Sequence, residues 1–249
     1  MPLHLGVNID HVATLRQARY RTMLGAHNVE PSILQAAQEV EAAGAHSITI
    51  HLRADRRHIV DEDVFLLRRE IKTLLNLEMG NTVEILEIAL RVRPDFVCMV
   101  PENREEITTE GGLNVAGQKE ALKASVSALE GNGTRVSMFI DPDLEQVQAS
   151  KDVGASMIEL HTGTFANEQG ERRHAEALRL RDAAELAHRL GLQVNAGHGL
   201  TTKNLPDLFA VPHLSELNIG HSIVARSVFV GLRRAVQEML AAMKAYPYA

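Results

Sequence analysis

Cysteine is almost absent from this chain, with Cys98 the only one among 249 residues. A single thiol excludes an intrachain disulfide and a cysteine-rich zinc site, and it suits a reducing compartment. Long apolar runs are missing too. No stretch of about 18 uncharged apolar residues occurs, which argues against a membrane span, and Met1 to Asp10 lacks the basic start and apolar segment of a signal peptide. The expectation is a soluble, cytoplasmic protein. Positive charge is not in excess either: the net charge is −6, without a long basic stripe, so the attraction that draws proteins to nucleic-acid backbones is not evident. Small clusters such as Arg53, Arg56 and Arg57 could still hold a small anion.

What is present is a chain that is 45% hydrophobic and long enough to bury a sizeable core, as one barrel domain or two smaller domains. Short apolar strands at about 3–8, 46–51, 74–79, 95–100, 134–140, 156–161, 192–196 and 214–219 alternate with helical stretches. Val64, Leu67 and Ile71 mark one apolar helical face, and Leu178, Leu186 and Leu190 another. Asp141-Pro142 reads as an N-cap with proline at the first helical position, and Gly44, Gly154 and Gly191 sit where helices should stop. No Pro/Gly/Ser-rich linker or repeat divides the chain, so residues 1–249 read as one domain.

Eight strand-helix units close into a barrel or spread into an open, doubly wound sheet. Strand alternation separates the two. Ser47, Thr49 and His51 alternate with Ile48 and Ile50; Asn76 and Glu78 alternate with Leu75, Leu77 and Met79. Glu159 and His161 alternate with Ile158 and Leu160, and Glu216 and Asn218 with Leu217 and Ile219. An open parallel sheet covered on both faces should instead show nearly continuous apolar runs. The expected fold is therefore an α/β (β/α)8 TIM barrel with a polar upper interior and room for short extra helices.

In such a barrel the carboxyl ends of the strands hold the catalytic groups, because eight loops converge there. Those ends carry Asn8, Asp10, His11, His51, Arg53, Glu78, Glu159, His161, Asn195, His198, Asn218 and His221. Any one could be a hydrogen-bonded structural residue, but so many on one rim point to chemistry. Gly-containing turns at 195–199 and 218–221 follow strands 7 and 8, where barrels commonly bind phosphate through backbone N–H groups. Arg53 and His58 begin on a strand end and can turn to the mouth, whereas Glu171 to Arg173 and Arg179 to Asp182 read as a solvated helix face.

The six lysines, Lys72, Lys119, Lys123, Lys151, Lys203 and Lys244, all fall in expected helices or loops. An aldolase using a lysine Schiff base, or an enzyme anchoring pyridoxal phosphate, needs its amine at the reacting centre. A metal-dependent hydrolase is the stronger rival. Its usual cue, two His separated by one residue on strand 1, is replaced by Asp10-His11, so neither metal nor bound cofactor is expected.

The chain resembles the pyridoxine 5′-phosphate synthase family along nearly its whole length. The resemblance rests on Gly-Val-Asn-Ile-Asp-His at 6–11, His-Leu-Arg-Ala-Asp-Arg-Arg-His at 51–58, Asn-Leu-Glu-Met at 76–79, Val-Pro-Glu-Asn-Arg at 100–104 and Thr-Thr-Glu-Gly-Gly at 108–112. It continues through Ile-Glu-Leu-His-Thr-Gly at 158–163, Asn-Ala-Gly-His-Gly-Leu at 195–200 and Leu-Asn-Ile-Gly-His at 217–221. What it implies is ring closure between 1-deoxy-D-xylulose 5-phosphate and 3-amino-2-oxopropyl phosphate, giving pyridoxine 5′-phosphate, phosphate and water. The substrate supplies the amine, in keeping with a lysine-free rim.

Carried over residue by residue, the resemblance makes His51 and Glu78 proton acceptors, His198 the proton donor and Glu159 the stabiliser of a charged transition state. It places the aminoketone phosphate at Asn8, Arg19, Gly199, Gly220 and His221, and the deoxyxylulose phosphate at Asp10, His11, Arg53, His58 and Thr108. The 101–113 segment resembles the family's mobile strand-4 loop, which would close to shield reactive imines from water. A departure is the longer connection from Tyr20 to Pro31, directly after Arg19, which would suit a subunit contact. The family implies a homo-oligomer, commonly an octamer.

Overall fold

The computed structural model of the chain describes residues 2–101 and 111–248. Strands β1 (His4–Asn8), β2 (Ser47–His51), β3 (Leu74–Met79), β4 (Phe96–Met99), β5 (Arg135–Ile140), β6 (Met157–His161), β7 (Gln193–Gly197) and β8 (Leu214–Ile219) pair in parallel and close into a barrel in sequence order. Each matches an expected span to within a residue or two. Around them lie α1 (Asp10–Tyr20), α2 (Ile33–Ala43), α3 (Asp61–Glu70), α4 (Val83–Val92), α5 (Lys119–Gly131) and α6 (Leu144–Asp152). They are followed by α7 (Gly163–Asn167), α8 (Gly170–Arg189), α9 (Leu205–Leu208), α10 (His221–Val230) and α11 (Leu232–Met243). Among the described residues, the second helices after β1, β6 and β8, in the pairs α1/α2, α7/α8 and α10/α11, are additions to the eight-unit plan.

The main core lies between barrel and helices. Ile48, Ile50, Leu75, Leu77, Ile158, Leu160 and Leu217 are buried there, as their alternation requires. The opposite residues of the same strands meet across the axis. Ser47 Oγ donates to Glu216 at 3.2 Å, Thr49 Oγ1 to Asn218 Oδ1 at 3.0 Å, and Asn76 Nδ2 to Thr49 Oγ1 at 3.3 Å. Gly6 of β1 makes room for this polar axis, since a Cβ there would fall 2.1 Å from Asn218 Oδ1. Cys98 and Phe139, from β4 and β5, form with Val100 an apolar group separate from the main core.

Helix ends follow the expected glycines: Gly44 (φ 97°), Gly154 (φ 88°) and Gly191 (φ 73°) take the left-handed turn that ends α2, α6 and α8. Two local expectations are corrected. Asp143, not Asp141, caps α6, accepting from Glu145 N–H at 2.8 Å, and the helix starts at Leu144 rather than at Pro142. Asp143 N–H bonds to the Asp141 carbonyl at 2.7 Å, so a turn intervenes, and the Asp141 carboxylate is engaged by His161 instead. On α8 the inward face is Ala177, Leu180, Ala183, Ala184 and Ala187, while Leu178 is exposed. Alanines let a long helix lie close to the barrel; Leu186 and Leu190 pack at its flank.

Candidate active site

The carboxyl ends of the strands bring the expected residues into two groups. The first is built on β1, β2 and β3. Asn8 Nδ2 donates to Asp10 Oδ2 at 2.9 Å and reaches Glu78 Oε2 at 3.5 Å, while Asn8 Oδ1 accepts from Asp10 N–H at 2.9 Å. Asp10 Oδ1 accepts the His51 backbone N–H at 2.9 Å. Strand register places His51 opposite Glu78, with His51 Nδ1 3.9 Å from Glu78 Oε2. The His58 ring stands 6.0 Å from that of His51, and its Nδ1 lies 3.9 Å from Asp10. Enclosure, together with the charges of Asp10 and Glu159, raises the Glu78 carboxyl well above the ordinary range.

The loop after β2 is held from below by a pair that sequence reasoning missed. Arg16, buried on α1, makes a two-pronged ion pair with Asp63 of α3 at 2.6 and 2.8 Å and donates to the His58 carbonyl at 3.0 Å. Asp63 also accepts the Val60 N–H at 3.0 Å, so one carboxylate fixes both the start of α3 and the loop bearing Arg53 and His58. No local signal could have revealed this contact, because its partners are 47 residues apart. Arg53 is itself buried, its Nε 3.4 Å from Asp55.

The second group surrounds β6, β7 and β8. Glu159 accepts from Asn218 Nδ2 at 2.6 Å and from the Cys98 thiol at 3.8 Å. Burial first, then the neighbouring Glu216 charge, lifts Glu159 to about 7 despite the Asn218 bond. Gly197 lets the carboxyl sit there, since a Cβ would fall 2.3 Å from its Oε1. His198 has φ 85°, left-handed backbone that a histidine seldom adopts and that marks functional sites. Burial, with His161 and His11 nearby, pushes its pKa down to about 4. The His161 ring meets His198 edge-on at 5.0 Å.

Gly199 (φ 75°) and Gly220 border the same mouth, and added side chains would strike Ala166 at 2.6 Å and Asn8 at 3.0 Å respectively. Helix α10 starts at His221 without a side-chain cap, leaving backbone N–H groups of its first turn for an anion. His11 lies edge-on to His221 at 4.9 Å, so the two groups meet there. Arg19 stands apart: it lies in the last turn of α1, exposed, its guanidinium 5.7 Å from the Tyr20 ring centroid, and nine residues of helix put it about 13 Å from Asp10. Thr108 and residues 102–110 of the expected strand-4 loop lie outside the described residues.

Asp10, His51 and His58 each offer a ligand atom within 4.8 Å of the others, a donor set that a divalent cation could use. Two features oppose a cation there. Asp10 already accepts from Asn8 and His51, and the Arg53 charge acts on His58. Among the described residues, no helix is long and apolar enough to cross a membrane.

Comparison with known proteins gives the family. Residues 5–245 match the family described as Pyridoxal phosphate biosynthesis protein PdxJ. The chain belongs to this family. A pyridoxine 5′-phosphate synthase of Akkermansia muciniphila is 58% identical over 94% of this chain and 96% of its own. One from a Synechococcus strain is 55% identical over 97% and 98%, and one from Idiomarina loihiensis 52% over 95% and 96%. Among solved structures, KGPDC from Streptococcus mutans superimposes with a TM-score of 0.68 at 15% identity over 98% of both chains. A 3-hexulose-6-phosphate synthase does so with 0.63 at 13%, over 96% of this chain and 99% of that one. These two likenesses bear on the barrel fold alone.

Proposed function

We propose that this chain is a pyridoxine 5′-phosphate synthase, joining 1-deoxy-D-xylulose 5-phosphate to 3-amino-2-oxopropyl phosphate with release of phosphate and water. The observation that carries the reading is the family match over residues 5–245, and the mouth suits it, with Glu78 and Glu159 held above the carboxylate range and His198 held low. Closing an aromatic ring needs successive proton removals and water losses, and groups of different basicity can serve them in turn.

In this reading His51 and Glu78 take protons from the intermediate. Their 3.9 Å separation lets one stay close to the other's proton. Glu159 steadies positive charge as it develops, and His198 protonates a leaving oxygen. A histidine at about 4 is neutral near pH 7. Phosphate bound beside Gly199, Gly220 and His221 would raise it, so substrate arrival arms the donor. Asn8 serves both substrates, since it touches Asp10 and borders Gly220. Asp10, His11, Arg53, His58 and Thr108 take the deoxyxylulose phosphate. Arg19, assigned to the aminoketone phosphate, would have to approach the mouth from the end of α1.

The same reading holds the chain to be one catalytic domain, transferase-like and metal-independent, working in the cytoplasm as a homo-oligomer, in octameric form as the family suggests. The test is purified protein with both substrates, followed by mass spectrometry for pyridoxine 5′-phosphate and phosphate. No product where a reference synthase turns over would reject the assignment. Activity should survive chelation; loss on zinc removal and recovery on its return would reassign Asp10, His51 and His58 as metal ligands.

A further inference from the structure

We propose that Asp141 and His161 form a positioning pair for His198, with Asp141 fixing the His161 ring and His161 setting the orientation of His198. The inference rests on His198 being the proton donor.

Two contacts converge on the carboxylate of Asp141, which follows the end of β5. Its Oδ1 lies 3.0 Å from His161 Nδ1, and the Gly112 N–H donates to the same carboxylate. Gly112 runs so close to the strand end that a Cβ would fall 2.1 Å from the Asp141 nitrogen, and Leu113 N–H bonds to the Phe139 carbonyl at 2.7 Å. The carboxylate is thus pinned between the chain segment returning from β4 and the ring at the end of β6. A carboxylate at Nδ1 keeps a proton on that nitrogen and fixes the ring plane.

The fixed ring has one main neighbour in the site. His161 is 5% exposed and presents its edge to His198 at 5.0 Å, while Phe139 packs on both rings, at 5.2 and 6.3 Å. On the far side Gly163 makes room for the ring, since a Cβ there would sit 2.4 Å from His161 Nε2. His198 holds a left-handed backbone conformation, so its ring depends on such walls for its direction.

Charge adds to geometry. Among the described residues, the titratable groups acting on His198 are His161 from β6 and His11 from α1, while Arg179 of α8 acts on Asp141. A positive charge on His161 opposes one on His198. His161→Phe removes that opposition, so His198 should bind its proton at higher pH in that variant. Loss of the fixed wall should at the same time lower turnover.

The experiment compares Asp141→Asn, Asp141→Glu, His161→Phe and the Asn/Phe double variant with the wild type. Two readouts are used: kcat with separately measured substrate affinities, and imidazole hydrogen–deuterium exchange of the His198 peptide across pH by mass spectrometry. Expected for both Asp141→Asn and His161→Phe is a kcat lowered roughly tenfold with affinities within about twofold, and for His161→Phe also a His198 pKa raised by about half a unit or more. Asp141→Glu should stay near wild type, and the double variant should be no worse than either single one. An unchanged His198 pKa with kcat near wild type, or additive losses in the double variant, would overturn the pair. If His161→Phe fails to fold, Asn against Glu at position 141 tests the positioning role through kcat: a loss in Asn rescued by Glu supports the pair, and equal turnover in the two overturns it. A wild type that makes no product would reject the proposed reaction, while the exchange measurement would still decide whether the pair controls His198.

Discussion

Glu216 contributes nothing to the proposed chemistry, yet it is a carboxyl 3% exposed on the barrel axis, with only the Ser47 hydroxyl, 3.2 Å away, donating to it among the described residues. Burial raises its pKa from 4.5 to about 7. Its folded state therefore holds a proton more tightly than its unfolded state. That preference stabilises the fold fully below pH 4.5 and is lost as pH rises through about 7. At about 1.4 kcal/mol per pH unit, the loss between pH 5 and pH 8 comes to roughly 2.5 kcal/mol. Glu216→Gln removes the titration while keeping an oxygen for Ser47.

The amide brings an extra N–H, and leaving it unpaired would cost about 1–3 kcal/mol at every pH. The discriminating quantity is consequently the change with pH. Relative to wild type, the variant should gain about 2.5 kcal/mol between pH 5 and pH 8. Denaturant unfolding of both proteins at the two pH values and one fixed protein concentration measures it, the fixed concentration guarding against linked subunit dissociation. A stability difference that is the same at both pH values, within about 0.5 kcal/mol, would show that Glu216 is not held protonated and refute the reasoning. Because the Glu216 charge also raises Glu159, any pH limb of kcat that follows Glu159 should move to lower pH in the same variant.

Glu78→Gln keeps the shape but removes a base, so kcat should fall by about 10²–10⁴ while each substrate binds nearly as before; near-normal turnover would remove Glu78 from proton transfer. Arg53→Met should weaken deoxyxylulose phosphate by roughly 1.5–3 kcal/mol, measured by calorimetry, and leave the aminoketone phosphate untouched; normal binding would relieve Arg53 of its role. Gly197→Ala drives a methyl to 2.3 Å from Glu159 Oε1 and 2.9 Å from the Asn218 carbonyl. That overpacking should cost on the order of 1–3 kcal/mol of stability and displace the carboxyl, so a variant with wild-type melting and turnover would contradict the described fit.

The barrel was legible because each strand carries its own evidence. In Ser47 to His51 or Ile158 to His161 a period of two sorts apolar from polar side chains, and a closed sheet is the arrangement in which one side of every strand meets the axis. Glycines at 44, 154 and 191 marked helix ends for a reason equally local, the left-handed turn. Where the reading slipped, the deciding contact was not local. Asp141 has the residue type and the following proline of an N-cap, but His161, 20 residues away, engages its carboxylate, and Asp143 takes the capping role. The α8 leucines likewise look like a buried stripe, whereas close packing against a barrel favours the alanines.

For the active site, the same distinction separates membership from state. That Asn8, Asp10, His51, Glu78, Glu159 and His198 share a mouth follows from their common place at strand ends, and strand order alone delivers it. How acidic each one is depends on neighbours supplied by other strands. Glu78 and Glu159 are both glutamates on inward positions, yet one is raised by enclosure together with Asp10, while the other is raised by burial and Glu216 against an opposing bond from Asn218. His198 is lowered by burial and by two further histidines, one from β6 and one from α1. Register and loop closure determine these pairings, and neither leaves a mark in a single sequence. Arg16 is the clearest case: a charged residue amid a helix, it reads as solvated surface, while its pairing with Asp63 holds the loop that carries Arg53 and His58.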